Sequence, residues 1–284
     1  MRHLSLVVCL GVMAFYVGGC SEIKILYRNA DIFAMQGIDK NMCPRGKERD
    51  AVKATLRRYL DWHQQKELPK YVDALDRIGE QVREGGLNRT AVNLVFREAE
   101  LAWARLLNRA AGPFSKHLAR MTPRQLDCMD AQMEKRKSDW EERVEGTERE
   151  YRQRWLDRSE RMLGVLFGTF SQSQRRTMMA NGPLGQGFET KMNAHRIRAS
   201  EAFADVVRSG SRRRIAKALR AVARQPRYFF SREGRLVANK DRQLRVEGLI
   251  RLATILRPSQ IDFMQKKLAR WSTAFRELAE RAQR

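Results

Sequence analysis

The spacing of apolar residues along this chain is helical almost throughout. They recur every three or four positions, and no segment shows the sustained two-residue alternation of a half-buried strand. Two such stripes fill 44–84, with Pro69 between them, where it removes a backbone donor and should kink the helix. A third helix is expected from Asn88, a good N-cap, to a stop at Gly112-Pro113. The pattern predicts an all-α fold, an elongated multi-helix bundle with long antiparallel helices.

The second half of the chain continues the helical pattern with different surfaces. From Gln132 to Arg154 charges of both signs crowd a sparsely apolar helix, which is typical of a solvated helix supported by ion pairs. The glycine-rich stretch 181–187 is the clearest loop, and it lacks the Lys-Ser/Thr of a phosphate-binding loop. After Pro258 the apolar spacings alternate between three and four, which predicts a helix packed against another helix of the chain. Its apolar positions are Ile261, Met264, Leu268, Trp271, Phe275, Leu278 and Ala282.

Several helix starts share one capping pattern. Residues 121–126 place Thr at the N-cap, Pro at N1 and Gln at N3, which is a capping box with the favoured proline. Weaker versions occur at 170–174 and 256–260, and 42–46 is a degenerate fourth with a cysteine in the capping place. These copies resemble the Leu-Thr-x-x-Gln motif of small periplasmic chaperones of the Spy and CpxP type. The resemblance implies kinship with proteins that cradle unfolded clients; the alternative, which we favour, is that capping alone accounts for the pattern.

A long apolar run precedes the helical pattern. It extends from Leu4 to Val17, 14 residues of which two are not clearly apolar. It fits a signal-peptide core of about 7–15 residues and falls short of the roughly 20 needed to span a bilayer. A branched apolar residue, two glycines and Cys20 then follow, a sequence that resembles the bacterial lipobox. That resemblance implies a signal peptide over 1–19, cleavage before Cys20, and lipid on its thiol and on the new amino terminus.

The expected organisation follows from this start. A lipidated segment covers 20–41, and a helical domain covers 42–284, either as one unit or as two lobes, 42–120 and 121–284. Because Ser21 rather than Asp follows the lipidated cysteine, we expect a membrane-anchored lipoprotein that faces the periplasm, at the outer membrane.

Two short stretches carry a further resemblance. Residues 20–31 contain Cys-Ser followed by Lys-x-x-Tyr-x-Asn-Ala-Asp, and residues 62–71 contain Trp-His…Glu-Leu-Pro-x-Tyr. Both patterns are similar to a family of uncharacterised helical bacterial lipoproteins. The resemblance implies an α-helical, membrane-tethered protein, and it implies no mechanism.

Charge narrows the choice of partners. The formal net charge is +23, and residues 206–284 hold 21 Lys and Arg against 6 Asp and Glu. Such a surface attracts anions. We expect no nucleic acid partner, since the chain lacks a helix-turn-helix, zinc-finger or RNA-binding signature and is expected in the envelope. Anionic lipid, lipopolysaccharide or a cell-wall polymer remain. The candidate contacts are Arg212, Arg213, Arg214, Arg227 and Arg232, and the aromatic residues 228–230 belong either to that interface or to the core.

The sequence leaves open whether the two cysteines of the helical domain form a disulfide. Cys43 and Cys128 are separated by 85 positions. In an oxidising periplasm such a pair invites a disulfide, and the alternative is two separate thiols. Sequence does not place the two sulfurs within reach of each other.

The sequence shows no catalytic pattern. His63, His117 and His195 each stand without a second ligand at metal-binding spacing, and no nucleophile motif is present. We therefore expect no enzyme activity, no metal and no cofactor. The function that composition and motifs favour is a lipid-anchored envelope protein that binds or scaffolds through a basic helical surface, with the membrane (through lipid on Cys20) and envelope proteins as partners. The alternative is a periplasmic chaperone-like protein that binds unfolded clients.

Overall fold

The computed structural model describes residues 20–180, 182 and 185–282, and every regular element in these ranges is a helix. The prediction of an all-α bundle is therefore confirmed. A π-helical segment, His63–Glu67, lies between α3 and α4. The helices are α1 (Cys20–Arg28), α2 (Ala30–Met42), α3 (Gly46–Trp62), α4 (Leu68–Gly85), α5 (Arg89–Leu118), α6 (Pro123–Glu142), α7 (Glu148–Phe167), α8 (Gln172–Ala180), α9 (Gln186–Arg208), α10 (Arg212–Arg224), α11 (Arg232–Ala253) and α12 (Pro258–Arg281).

Two long helix pairs organise the bundle. α12 packs along α4, and α10 packs along α5. In the first pair, Leu75 of α4 belongs to the same buried cluster as Trp271 and Phe275 of α12. Each pair joins a helix from the first half of the chain to one near its end. Residues 42–120 and 121–284 therefore share their cores.

The junction of α3 and α4 shows how the chain accommodates Pro69. A proline has no N–H, and in a helix its ring clashes with the carbonyl four residues earlier. The Leu68 N–H bonds to the His63 carbonyl oxygen, five residues back, which is the wider spacing of a π-helix. Pro69 then lies in the first turn of α4, where a missing donor costs little. The π segment thus carries the chain from one helix into the next.

The predicted stop at Gly112-Pro113 is wrong. α5 continues through the proline to Leu118. Ala111 and Ser115 are buried on either side of it, so packing holds the helix where local propensity opposes it. The Ser115 hydroxyl also donates to the Gly112 carbonyl oxygen at 2.9 Å.

The charged stretch predicted as one helix over 132–154 is two helices. α6 ends at Glu142, and α7 begins after a capping box in which the Thr147 N–H donates to Glu150 Oε2 at 2.8 Å. The Glu150 N–H donates back to Thr147 Oγ1 at 3.3 Å. Gly146 makes the turn with φ of 80°, a conformation that favours glycine.

The three capping-box glutamines also tie distant segments together. Gln125, Gln174 and Gln260 are all buried. In each, Oε1 accepts the N–H of its own N-cap residue at 2.9–3.1 Å. The Nε2 group donates to a main-chain carbonyl oxygen far along the sequence, at 2.7–3.1 Å. Those carbonyl groups belong to Met42, Ile255 and Thr169 respectively.

These helix starts act in pairs. Gln174 Nε2 donates to Gln260 Oε1 at 2.6 Å, so the starts of α8 and α12 interlock. Gln125 Nε2 donates in the same way to Glu48 Oε1 at 3.1 Å, in the first turn of α3. The degenerate fourth copy therefore begins two residues later than predicted, with Arg45 rather than Cys43 at the N-cap. Glu48 takes the place of the glutamine.

Replacing Gln260 with alanine should lower the free energy of unfolding by about 1–3 kcal/mol, because it removes the hydrogen bonds of this buried amide to the Arg257 N–H, the Thr169 carbonyl oxygen and Gln174 Nε2. Urea denaturation would measure the loss. Gln265→Ala, on the same helix and with no buried amide bond, is the matched control and should change stability by less than about 0.5 kcal/mol. Equal effects of the two changes would contradict this role of Gln260.

Candidate anion-binding face

The exposed face of α10 is uniformly cationic. Its buried positions are aliphatic, and Ile215, Leu219 and Val222 pack against Leu107 and Ala111 of α5. Of the remaining positions, Arg213, Lys217, Arg220 and Arg224 recur every three or four residues and form one face away from the core, and Arg212 and Arg214 flank it in the exposed first turn. We call these six cations together the basic face: Arg212, Arg213, Arg214, Lys217, Arg220 and Arg224.

The cations of the basic face lack counter-charges in the described part of the chain. In the described ranges, none of its six side chains forms an ion pair or a side-chain hydrogen bond. Cations on the neighbouring helices are mostly paired: Arg208 bonds Asp130 at 2.6 Å, and Arg242 bonds Glu100 at 3.0 Å. The basic face therefore gathers six cations without counter-charges on one helix, whereas other unpaired cations of the described chain, such as Arg57, Arg83 and Arg124, lie on separate helices.

Three of these cations lie in the first turn of α10, at the positive end of the helix dipole. Ser211 caps the helix, accepting the Arg214 N–H at 3.3 Å. The positive end of the dipole disfavours cations there by about 0.3–1 kcal/mol each. Helix stability therefore does not account for the arginines at positions 212 and 213.

The other two predicted anion contacts lie apart from this helix. Arg227 is half-buried and donates to Asn239 Oδ1 at 2.7 Å, and burial lowers the pKa of its guanidinium. Arg232 is exposed at the first position of α11. Of the aromatic residues between them, Tyr228 is 44% exposed while Phe230 is buried in the core. Lys217, Arg220 and Arg224 were not among the predicted contacts, although their i,i+3 and i,i+4 spacing indicates that they share a helix face.

The predicted cysteine sites have separate positions. The apolar run over 1–19 lies outside the described residues, and Cys20 is the first residue of α1. Cys43, directly after α2, is joined by a disulfide to Cys128 of α6, with 6.3 Å between their Cα atoms. The bridge lies next to the Gln125–Glu48 contact, so it closes the same junction covalently.

The two family-like motifs of the sequence meet in the core. Tyr27 of the first motif bonds through its hydroxyl to Nδ1 of His63 in the second, at 2.9 Å. Tyr71, the last residue of the second motif, packs edge-on against the His63 ring. His63 is only 1% exposed, and burial lowers its pKa to about 4. It is therefore neutral at physiological pH.

Glu67 anchors the same cluster. It is completely buried in the π segment, and its two oxygens bond Lys70 and Arg105, each at 2.7 Å. A buried carboxylate is tolerated when both of its oxygens are paired in this way. The cluster ties α1, the π segment and α5 together.

Among the described residues, no group of three or more His, Cys, Asp or Glu is arranged to hold a metal ion. No helix in those ranges has both the length and the apolar character needed to cross a membrane.

The fold and its surface define an all-α protein with a strongly basic surface. Residues 42–235 match DUF6279, a family of unknown function, and the chain belongs to this family. No curated protein and no solved structure matches it.

His63 should make stability depend on pH below its ordinary pKa of 6.5. Because the folded-state pKa is depressed, the contribution is complete above pH 6.5 and is lost as the pH falls toward 4. The loss amounts to about 3 kcal/mol. Denaturant unfolding at a series of pH values would measure it, and His63→Gln should flatten the slope in this range. An unchanged slope in the variant would show that other groups carry the dependence.

Proposed function

We propose that this protein is a lipid-anchored component of the bacterial cell envelope that binds an anionic surface, without catalysis, through the basic face. The observation that carries the proposal is the row of six exposed cations without counter-charges on one helix. The ligand class is an envelope polyanion: anionic lipid, lipopolysaccharide or an acidic cell-wall polymer.

The geometry favours binding through charge. Near an anionic membrane each Lys or Arg contributes about 1 kcal/mol, and the contributions of neighbouring side chains add. α10 is held by its buried apolar face, so the backbone that presents the charges is already ordered before binding. The glutamine copies are buried and join helix starts, so the likeness to chaperone motifs adds no client-binding surface.

Anchoring at Cys20 would place the bundle close to the membrane. α1 begins at this residue and is held to the bundle by the Tyr27–His63 bond and by the ion pair of Lys24 with Glu277. A short, fixed connection of this kind keeps the whole molecule near the lipid surface. An anchored protein with a basic face meets anionic head groups at high effective concentration.

Changing Arg213, Lys217, Arg220 and Arg224 together to Gln should weaken binding to phosphatidylglycerol vesicles by roughly a hundredfold or more. Sedimentation with vesicles would measure it, using the chain from Ser21 onward, which carries neither the apolar run of residues 4–17 nor an acyl group. Binding by the unaltered face should also fall as salt rises from low to physiological concentration.

The matched control changes four exposed cations on four other helices, Arg57, Arg83, Arg124 and Arg161, to Gln. It removes the same net charge, so it separates a local face from a general charge effect. Equal loss in both variants, or equal binding to phosphatidylcholine vesicles, would rule out a specific role for α10.

The anchor has a separate test. Cys20→Ser in the otherwise unaltered chain should abolish acylation and shift the protein from the membrane fraction to the soluble fraction, because a lipid anchor adds about 0.8 kcal/mol per buried methylene. Metabolic labelling with a fatty acid and cell fractionation would show it. Unchanged labelling and membrane partition would remove the anchoring hypothesis.

A further inference from the structure

The side of α10 opposite the basic face lines a partly open apolar cavity. Its volume is about 250 Å³, and Leu219 and Val222 of α10 form part of its wall. The remaining wall comes chiefly from apolar side chains such as Leu56, Phe114 and Phe203. A single buried water needs only about 10–15 Å³ and several polar partners. This cavity is therefore suited to an apolar ligand.

Two arginines from facing helices reach the same cavity. α6 and α9 pack together, with Met129 against Ala204 at one end. At the other end, Asn193 Nδ2 donates to the Trp140 carbonyl oxygen at 3.0 Å. Positions between these contacts face each other across the interface. Arg136 of α6 and Arg196 of α9 both line the cavity at this level.

The two guanidinium groups differ in their counter-charges. Arg196 donates to Glu189 Oε1 at 2.6 Å and to Asn193 Oδ1 at 2.7 Å, so its charge is balanced. Arg136 donates through Nε to the Gln132 carbonyl oxygen at 2.9 Å, and no carboxylate lies within ion-pair distance of it in the described part of the chain. It is half-buried, and burial lowers its pKa. A partly buried cation without a counter-charge is costly unless an anion completes the site.

We infer that the cavity binds one acyl chain of an anionic, single-chain amphiphile, a fatty acid, with its carboxylate on Arg136. The apolar wall recognises the hydrocarbon, and the uncompensated guanidinium recognises the head group in bidentate geometry. The volume favours one chain over two. This site is independent of the proposed function, since it lies on the opposite side of α10 from the basic face.

The test measures binding of laurate and of dodecanol, which has the same chain without the charge, by calorimetry on the delipidated chain from Ser21 onward, which lacks the apolar run of residues 4–17. Laurate should bind with one-to-one stoichiometry and roughly tenfold or more tighter than dodecanol. Arg136→Gln should remove that preference while leaving dodecanol binding unchanged. Lys135→Gln, a neighbouring exposed cation on α6, is the matched control and should keep the preference.

A second variant tests the cavity itself. Ala199→Phe places a ring in the wall near Arg196 and should weaken both ligands by roughly tenfold or more while the helical circular dichroism stays unchanged. If that variant misfolds, Arg136→Gln still decides the matter. Absent laurate binding, equal affinity for both ligands, an unchanged preference in Arg136→Gln, or tighter binding of dilauroyl phosphatidylglycerol than of laurate would each overturn the inference.

Discussion

Burial of the apolar seam of α12 is the interaction on which the rest of the bundle depends. This helix contacts α4, α1, the π segment and α7, so the end of the described chain packs against its beginning and its middle. Its polar contacts are equally distant in sequence: Ser272 donates to Asp76 at 2.6 Å, and Gln64 donates to the Leu278 carbonyl oxygen at 2.7 Å. Closing such long loops costs conformational entropy, which burial of large side chains such as Trp271 offsets. The earlier helices are therefore held in place by the last one.

Helix starts provide the polar counterpart of that seam. A capping glutamine satisfies the free N–H at its own helix start, and its amide still has two donors to place. Inside the bundle those donors bond to carbonyl oxygens of distant segments. Gln174 bonds to the carbonyl of Ile255, near Gln260, and Gln260 bonds to the carbonyl of Thr169, near Gln174. The disulfide between Cys43 and Cys128 reinforces the second such junction, beside Gln125. The glutamines that cap helix starts thus also connect segments that are distant in sequence.

α10 lies between the basic face and the apolar cavity. Its aliphatic side chains pack against α5 and line the cavity, so its cations lie on the outward side of the helix. A helix held on one side can display charge without losing order. Ile215 and Leu219 are already buried in the bundle. The apolar side of α10 is therefore not free to enter a membrane, as that of an isolated basic amphipathic helix is. Attraction to an anionic surface through α10 therefore rests on electrostatics.

The sequence by itself determined the all-α class, the seam of the last helix and the concentration of positive charge after residue 206, because helical periodicity and composition are local properties. It also located the glutamine capping boxes, whose chemistry is contained within four residues. It misplaced the end of the helix at Gly112-Pro113 because the burial of Ala111 and Ser115, which outweighs the proline, comes from other helices. It could not show that Tyr27 meets His63, that Arg208 is paired while Arg213 is not, or that Arg136 faces an apolar cavity. Those relations join residues far apart in the chain, and only the tertiary packing decides which charges are neutralised and which remain available to bind.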